Sequence, residues 1–572
     1  MAKRLFRILI GAMLLWLAAQ PASAAPAQAA GDPAGDWIGT LQAGGAQLHL
    51  AIHIVRTGNA LSGTFDSLDQ AAIGMPLASV AGEGGKLGFD VPLVGGHYAG
   101  TWDTAGAHYA GEWSQQTTRL PLVLTRGQAA AKPVVAGLDG DWDGALDLGG
   151  MGKLRLVFHV RTVSTGTSAT VESPDQGSGS LPFAAIRRDG ATITLEAPAV
   201  GARFEGVLSG DGKSLTGHWT QGGNSTVLVM TLRAAGAPAP AALNRPQMPK
   251  RPFPYREVEV SYDNPAGHDR LAGTLTLPPG GGPFPAALLI TGSGPQDRDE
   301  TLLGHKPFLV LADALTRRGI AVLRVDDRGI GASTGDFPHA TTADFATDTE
   351  AGMVFLASRP EIDRRRIGLI GHSEGGLIAP MVAARNPSVA WVVMLAGPGV
   401  NGDRIIVEQQ HLIAAAAGAT PDQLAHNDAL TRHMLDALER APDAATAERD
   451  AKAILAAEGK GQAGDAAAAT MASDWYRGFL RTDPAPALRA LRVPVLALSG
   501  SLDLQVPPSD NVPALRAALA GNRDATVTEL PGLNHLFQTA RTGAVAEYQQ
   551  IEETIAPSVL RMVGDWILAH SH

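Results

Sequence analysis

The stretch Ile367-Gly-Leu-Ile-Gly-His-Ser373-Glu-Gly-Gly-Leu377-Ile-Ala decides how the C-terminal half of this chain is read. Residues 367–370 form a short unbroken apolar run of the kind a buried strand makes, and residues 377–384 continue as a helix. Between them Gly371-His372-Ser373-Glu374-Gly375 matches G-x-S-x-G. In a chain with 67 glycines the pattern alone says little; its place between strand and helix gives it meaning. A turn this tight has no room for a side chain two positions either side of the serine, which accounts for Gly371 and Gly375. It lifts the Ser373 hydroxyl clear of the sheet and over the positive end of the next helix. Ser373 is therefore the candidate nucleophile.

Outward from this turn the same grammar repeats. Runs at 286–290, 321–325, 389–395 and 493–498 are apolar without alternation, and amphipathic stretches such as 308–318 and 344–357 separate several of them. Unbroken apolar strands alternating with helices predict a mostly parallel sheet covered on both faces. The domain from 255 to 572 is α/β on this reading. Residues 400–487 are Ala-rich and helical, and they fall between two core strands.

A serine hydroxyl needs a base to take its proton. The strand at 493–498 ends in Ser499-Gly-Ser-Leu-Asp503, and the strand at 525–530 leads to Pro531-Gly-Leu-Asn-His535-Leu-Phe537. Both Asp503 and His535 sit just past a strand's carboxyl end, where catalytic groups collect. His535 would take the Ser373 proton and pass it to the leaving group, with Asp503 fixing its tautomer. The rival acid Asp510 is read as a cap of the following helix. His372 cannot fold back onto its neighbour, and His305, His339 and His411 precede the acid, against the order serine, acid, histidine. A tetrahedral oxyanion needs two N–H donors. One is the backbone of Glu374; the other comes from Thr291-Gly-Ser-Gly-Pro295, where Ser293 is chosen and the neighbouring register stays open. Gly292-x-Gly294 lacks the third glycine of a dinucleotide site.

With these residues in view, 255–572 resembles a complete α/β-hydrolase. Ile290-Thr-Gly-Ser-Gly-Pro-Gln-Asp-Arg-Asp-Glu300, Asp327-Arg-Gly-Ile-Gly-Ala-Ser333, Gly371-His-Ser-Glu-Gly-Gly376 and Leu533-Asn-His-Leu-Phe537 resemble the exported esterase and serine-aminopeptidase-like branch, related to dienelactone hydrolases. The resemblance implies a Ser373–Asp503–His535 triad, no cofactor and no metal, and a cap at 400–487 in which Trp475, Tyr476 and Phe479 line the pocket or fill the cap core. Two departures stand out. Dienelactone hydrolases use a cysteine nucleophile, and the lipase-type His-Gly turn is Thr291-Gly292 here.

The N-terminal half reads differently. Gly35-Asp36-Trp37 returns as Gly140-Asp141-Trp142, and Ser67, Asp69 and Gln70 return as Ser173, Asp175 and Gln176. Pro76, Gly100, Gly111 and Trp113 return as Pro182, Gly206, Gly217 and Trp219, each 106 residues later. The alternation of Leu48, Leu50, Ile52 and Ile54 with polar or small neighbours marks an antiparallel strand. Two tandem all-β domains are expected, barrel-like or sandwich-like, at 35–127 and 140–234. His49 and His53 are read as a solvent-facing pair instead of metal ligands, because the second copy has Arg155 and His159 there. Trp113 and Trp219 are read as core residues in preference to sugar platforms. Residues 235–254 hold six prolines and should be an extended, exposed linker.

Lys3, Arg4 and Arg7, then the apolar run 8–19, then Ala22-Ser23-Ala24 read as a signal peptide, residues 1–24. The run is shorter than the ~20 residues a membrane span needs, so the mature chain is expected in the periplasm or secreted, with no membrane span. The chain has no cysteine, which rules out disulfides, thiol nucleophiles and thiolate metal sites. A net charge of −10 argues against a nucleic-acid partner, which needs a dense basic surface. The expected activity is hydrolysis of carboxylic esters, small or linked to polysaccharide, through an acyl-serine. Alternatives are an aminopeptidase-like serine peptidase using Glu374 or cap acids as an amine anchor, an acyl-thioesterase or acyltransferase, and a catalytically dead binding protein. A propeller-bearing peptidase is disfavoured, since two units of this length are not blades of about 40–45 residues.

Overall fold

The repeated Gly-Asp-Trp opens the first strand of two like-built β units. In the first, nine antiparallel strands from β1 (Gly35–Ala43) to β9 (Thr118–Arg126) form one sheet, and β1 pairs with both β2 (Ala46–Thr57) and β9. The second runs from β10 (Gly140–Asp147) to β18 (Asn224–Leu232), with β10 between β11 (Lys153–Val163) and β18. The repeated tryptophans anchor each in the same way. Trp37 Nε1 donates to the Pro33 carbonyl and Trp142 Nε1 to that of Leu138, both at 2.8 Å. Trp113 and Trp219 lie in the cores, stacked on Phe65 and packed on Phe158. His49 pairs with Asp69, and His53 with Asp36 and Asp66, so these histidines of β2 face carboxylates of the same β unit.

This computed structural model describes residues 32–571 apart from 44–45, 59, 70–71, 116–117, 128–132, 149–151, 164–165, 177–179, 222–223, 242 and 460. The expected signal peptide and Gln70 lie outside the described residues. Among the described residues no helix is long and apolar enough to cross a membrane. The chain forms two compact units, Met1–Ala131 and Lys132–His572, so the second β repeat shares its unit with the α/β domain.

No described residue of the linker is buried, as expected, but it does not run free of the domain. Its second half is docked: Arg245 donates to the carbonyl oxygens of Leu303, Gln549 and Ile551, and the Gln247 amide bonds the backbone of Thr554 and Ile555. A guanidinium with five donors can collect several loop carbonyls at once, which outweighs the preference of a Pro-rich stretch for water. The second repeat reaches the same place. Arg155 holds the buried Asp175 and donates to the Ala241 carbonyl, while the Asp175 carbonyl packs against Gly304.

In the α/β domain, β19 (Arg256–Asn264) and β20 (Asp269–Leu277) form an antiparallel edge. β20 also runs antiparallel to β22 (Ala321–Val325). From there β22, β21 (Phe284–Ile290), β23 (Ile362–His372), β24 (Val392–Leu395), β25 (Val495–Gly500) and β26 (Ala525–Leu530) are all parallel. Successive side chains of a strand face opposite layers. Ala286, Leu288 and Ile290 accordingly meet α2 (Thr342–Ser358), α3 (Gly375–Arg385) and α10 (Pro508–Leu519) on one face. Ala287 and Leu289 meet α1 (Pro307–Thr316) and α11 (Pro557–His570) on the other. Between β24 and β25 the chain leaves for the cap, from α4 (Gly402–Ala416) to α8 (Asp474–Arg481). The parallel register aligns the carboxyl ends: Gly371 opposite Ile290, and His372 opposite Leu395.

Candidate active site

The G-x-S-x-G turn is strained where its spacing says it must be. Ser373 has φ 53°, and its N–H is held by the Leu395 carbonyl at 2.9 Å. A Cβ on Gly371 would lie 1.9 Å from the Gly375 carbonyl oxygen, and one on Gly375 would lie 2.1 Å from that of Ile290. Such a conformation costs energy and persists only when surrounding structure holds it.

Asp503 and His535, 32 residues apart, meet behind this turn. Asp503 Oδ2 lies 2.8 Å from His535 Nδ1, and its Oδ1 accepts from the N–H groups of Gln505 and Val506. Both side chains are buried. A carboxylate only accepts, so Nδ1 carries the proton and Nε2 is left to accept one. The His535 turn is braced by Asn534, whose Oδ1 takes the N–H groups of Leu536 and Gln538. Asp510 is not a helix cap: Pro507 precedes α10, and Asp510 in the first turn pairs with Arg404 of the cap.

Ser373, Glu374, Ser293 and His535 all line one cavity of about 360 Å³. The cap adds Ile405, Gln409, Trp475, Tyr476 and Phe479, so all three cap aromatics reach the pocket. The two expected oxyanion donors, the N–H groups of Ser293 and Glu374, have no hydrogen-bond partner among the described residues. The neighbouring Gly292 N–H is already taken by Glu300 Oε1 at 2.8 Å.

Two acids line the cavity and neither faces it freely. The Glu374 carboxylate accepts from Thr342 Oγ1, Ser293 Oγ and Trp475 Nε1 at 2.7–3.0 Å. Burial pushes this carboxyl up, against the downward pull of those three donors. Glu300 accepts from Gly292 and faces His372 Nδ1 at 2.9 Å. Beneath the oxyanion loop, Asp327 accepts from Thr291 Oγ1 and Gln296 N; burial pushes it up to about 7. The other histidines are occupied elsewhere. His305 is buried against Thr554, Tyr548 and Gln538, and burial lowers it to about 4; His339 and His411 pair with Asp336 and Asp428.

Sequence reasoning left Glu300, Asp327 and the partners of His372 unassigned. Both acids lie inside the quoted runs 290–300 and 327–333, but the partners that give them their place, His372 for Glu300 and Thr291 and Gln296 for Asp327, are distant in sequence.

Known proteins agree with this architecture. Residues 306–539 match the serine aminopeptidase S33 family profile. The C-terminal region has the helices and strands of an α/β-hydrolase-like fold. The chain is 28% identical over 270 residues to esterase EstD of Thermotoga maritima, covering 47% of this chain and 58% of that one. It is 27% identical over 139 residues to mouse acyl-coenzyme A thioesterase 5, covering 24% and 29%. The chain thus spans less than two thirds of the length of either relative. An esterase structure from Pyrococcus furiosus aligns with TM-score 0.37 at 16% identity, covering 58% of this chain and 98% of that one.

Proposed function

We propose that this hydrolase cleaves uncharged carboxylic esters through an acyl-serine intermediate, with Ser373 as nucleophile, His535 as base and Asp503 as its orienting acid. The observation that carries the reading is the buried Asp503–His535 bond, opening onto the cavity that Ser373 lines. Ser373 Oγ adds to the ester carbonyl while His535 Nε2 takes its proton; the same proton then goes to the departing alcohol. Water repeats the sequence in reverse roles and frees the acid. The N–H groups of Ser293 and Glu374 receive the oxyanion in this reading.

The lining favours esters over the other substrates. An aminopeptidase needs a carboxylate for the substrate amine, and both acids here are buried and bonded inside the protein. Among its described lining residues the cavity holds no lysine or arginine to receive the phosphates of a coenzyme A thioester. We further propose that the chain acts outside the cytoplasm, on the strength of its N-terminal segment.

The test uses protein beginning at Ala25, assayed on p-nitrophenyl esters of increasing acyl length beside aminoacyl p-nitroanilides. Ester turnover without anilide turnover is expected. Ser373→Ala and His535→Ala should each lower turnover by about 10⁴-fold or more with unfolding nearly unchanged. Near-normal turnover in either would overturn the triad. Anilide turnover at comparable efficiency would establish the peptidase instead.

A further inference from the structure

His372 precedes the nucleophile and borders the same cavity, and its ring nitrogens are engaged in a buried contact between loops distant in sequence. Its Nε2 lies 3.1 Å from the backbone carbonyl of His535 and its Nδ1 2.9 Å from Glu300 Oε1. The same Glu300 oxygen takes the N–H of Gly292, next to the oxyanion donor Ser293. Glu300 is itself held in an unfavourable backbone conformation, φ 54°, with its other oxygen buried and unpartnered. A buried acid in a strained position with two such contacts is fixed for a purpose that packing alone does not require.

We infer that His372 and Glu300 form a buried ion pair that positions both the His535 loop and the oxyanion loop, and places a fixed cation beside the catalytic base. The inference rests on the triad reading above. A carbonyl oxygen only accepts, so His372 Nε2 carries a proton; Nδ1, facing a carboxylate, carries the second. Burial alone would lower the His372 titration, but the Glu300 charge, their hydrogen bond, the His535 carbonyl and the Asp503 charge raise it. The groups facing the ring are Glu300 after β21, Asp503 after β25 and His535 after β26; Glu374 on its own turn is directed to the cap. The two imidazole rings lie 4.8 Å apart. A cation at that distance opposes a second positive charge on the neighbouring ring.

The experiment compares Glu300→Gln, His372→Gln and their double variant with the parent enzyme, each rate divided by the fraction titrated with a fluorophosphonate. Each single variant is expected to lose roughly 10–100-fold in kcat, the scale of a misplaced catalytic group, with KM within about threefold. The acidic limb of kcat/KM should move up by roughly one pH unit once the cation is gone. The double variant should fall no further than the worse single one, because either change dismantles the pair. Glu300→Asp keeps the charge, tolerates positive φ better, and should restore the position of the acidic limb. A limb that stays in place in both single variants, or losses that multiply in the double one, would overturn the inference. Titration counts only competent sites, so partial unfolding does not mask the result. Ser373→Ala runs alongside: turnover retained there would refute the triad itself, whereas its loss with an unmoved limb refutes the pair alone.

Discussion

Glu374 joins four parts of the domain at one carboxylate: its own turn, the oxyanion loop through Ser293, α2 through Thr342, and cap helix α8 through Trp475. The Trp475 contact is one of the ties between cap and domain, beside the Arg404–Asp510 pair, and its Nε1 lies 3.0 Å from both carboxylate oxygens. Trp475→Phe removes that donor and keeps an aromatic ring to stack on Phe479. A hydrogen bond to a charged group contributes about 1.5–3 kcal/mol net. If the cap must be seated for ester to bind productively, losing it lowers kcat/KM by roughly 10–100-fold. Glu374→Gln should do the same by another route, because an amide presents a donor where three donors already converge. The assay is steady-state turnover of a p-nitrophenyl ester by both variants and the double. The coupling should approach the size of either single effect, since both remove one contact. A Trp475→Phe enzyme within about twofold of the parent, or losses that multiply in the double variant, would refute this tie's part in seating the cap.

Other consequences are equally direct. Asp327, raised to about 7 by burial, holds its proton more tightly folded than unfolded. Its stabilising contribution is therefore present below about pH 4 and lost as pH climbs through 7. Asp327→Asn should remove roughly 2–3 kcal/mol of the stability difference between pH 5 and pH 8 in urea titrations; an unchanged difference would show that Asp327 does not titrate there. Gly371→Ala places a methyl 1.9 Å from a backbone oxygen, so a loss beyond about 4 kcal/mol is expected in thermal unfolding, and a parental melting temperature would contradict the turn geometry. Asp503→Asn offers His535 an amide in place of an acceptor carboxylate, so turnover should collapse with the fold intact; full activity would disqualify this acid.

What local chemistry dictates was legible along the chain. Gly371 is demanded by its contact with Gly375 four residues on, and most core strands by nearly continuous apolar runs, whereas Gly375 is demanded by Ile290 on the neighbouring strand. The β repeats announce themselves by recurrence, and the acid and histidine by following strand ends. Tertiary structure decided the rest, because the decisive partners are far apart in sequence. Glu300 and His372 are 72 residues apart, Glu374 and Trp475 101, and His372 and the His535 carbonyl 163. No periodicity encodes such pairings. They depend on the crossover order that sets β21 beside β23 and on the cap folding back over the sheet. The linker shows the same limit: six prolines predict an extended, solvated strand, yet Arg245 finds three loop carbonyls that only the folded domain brings together. Sequence reports what a residue does to its neighbours along the chain, and burial decides which distant charge or donor it meets.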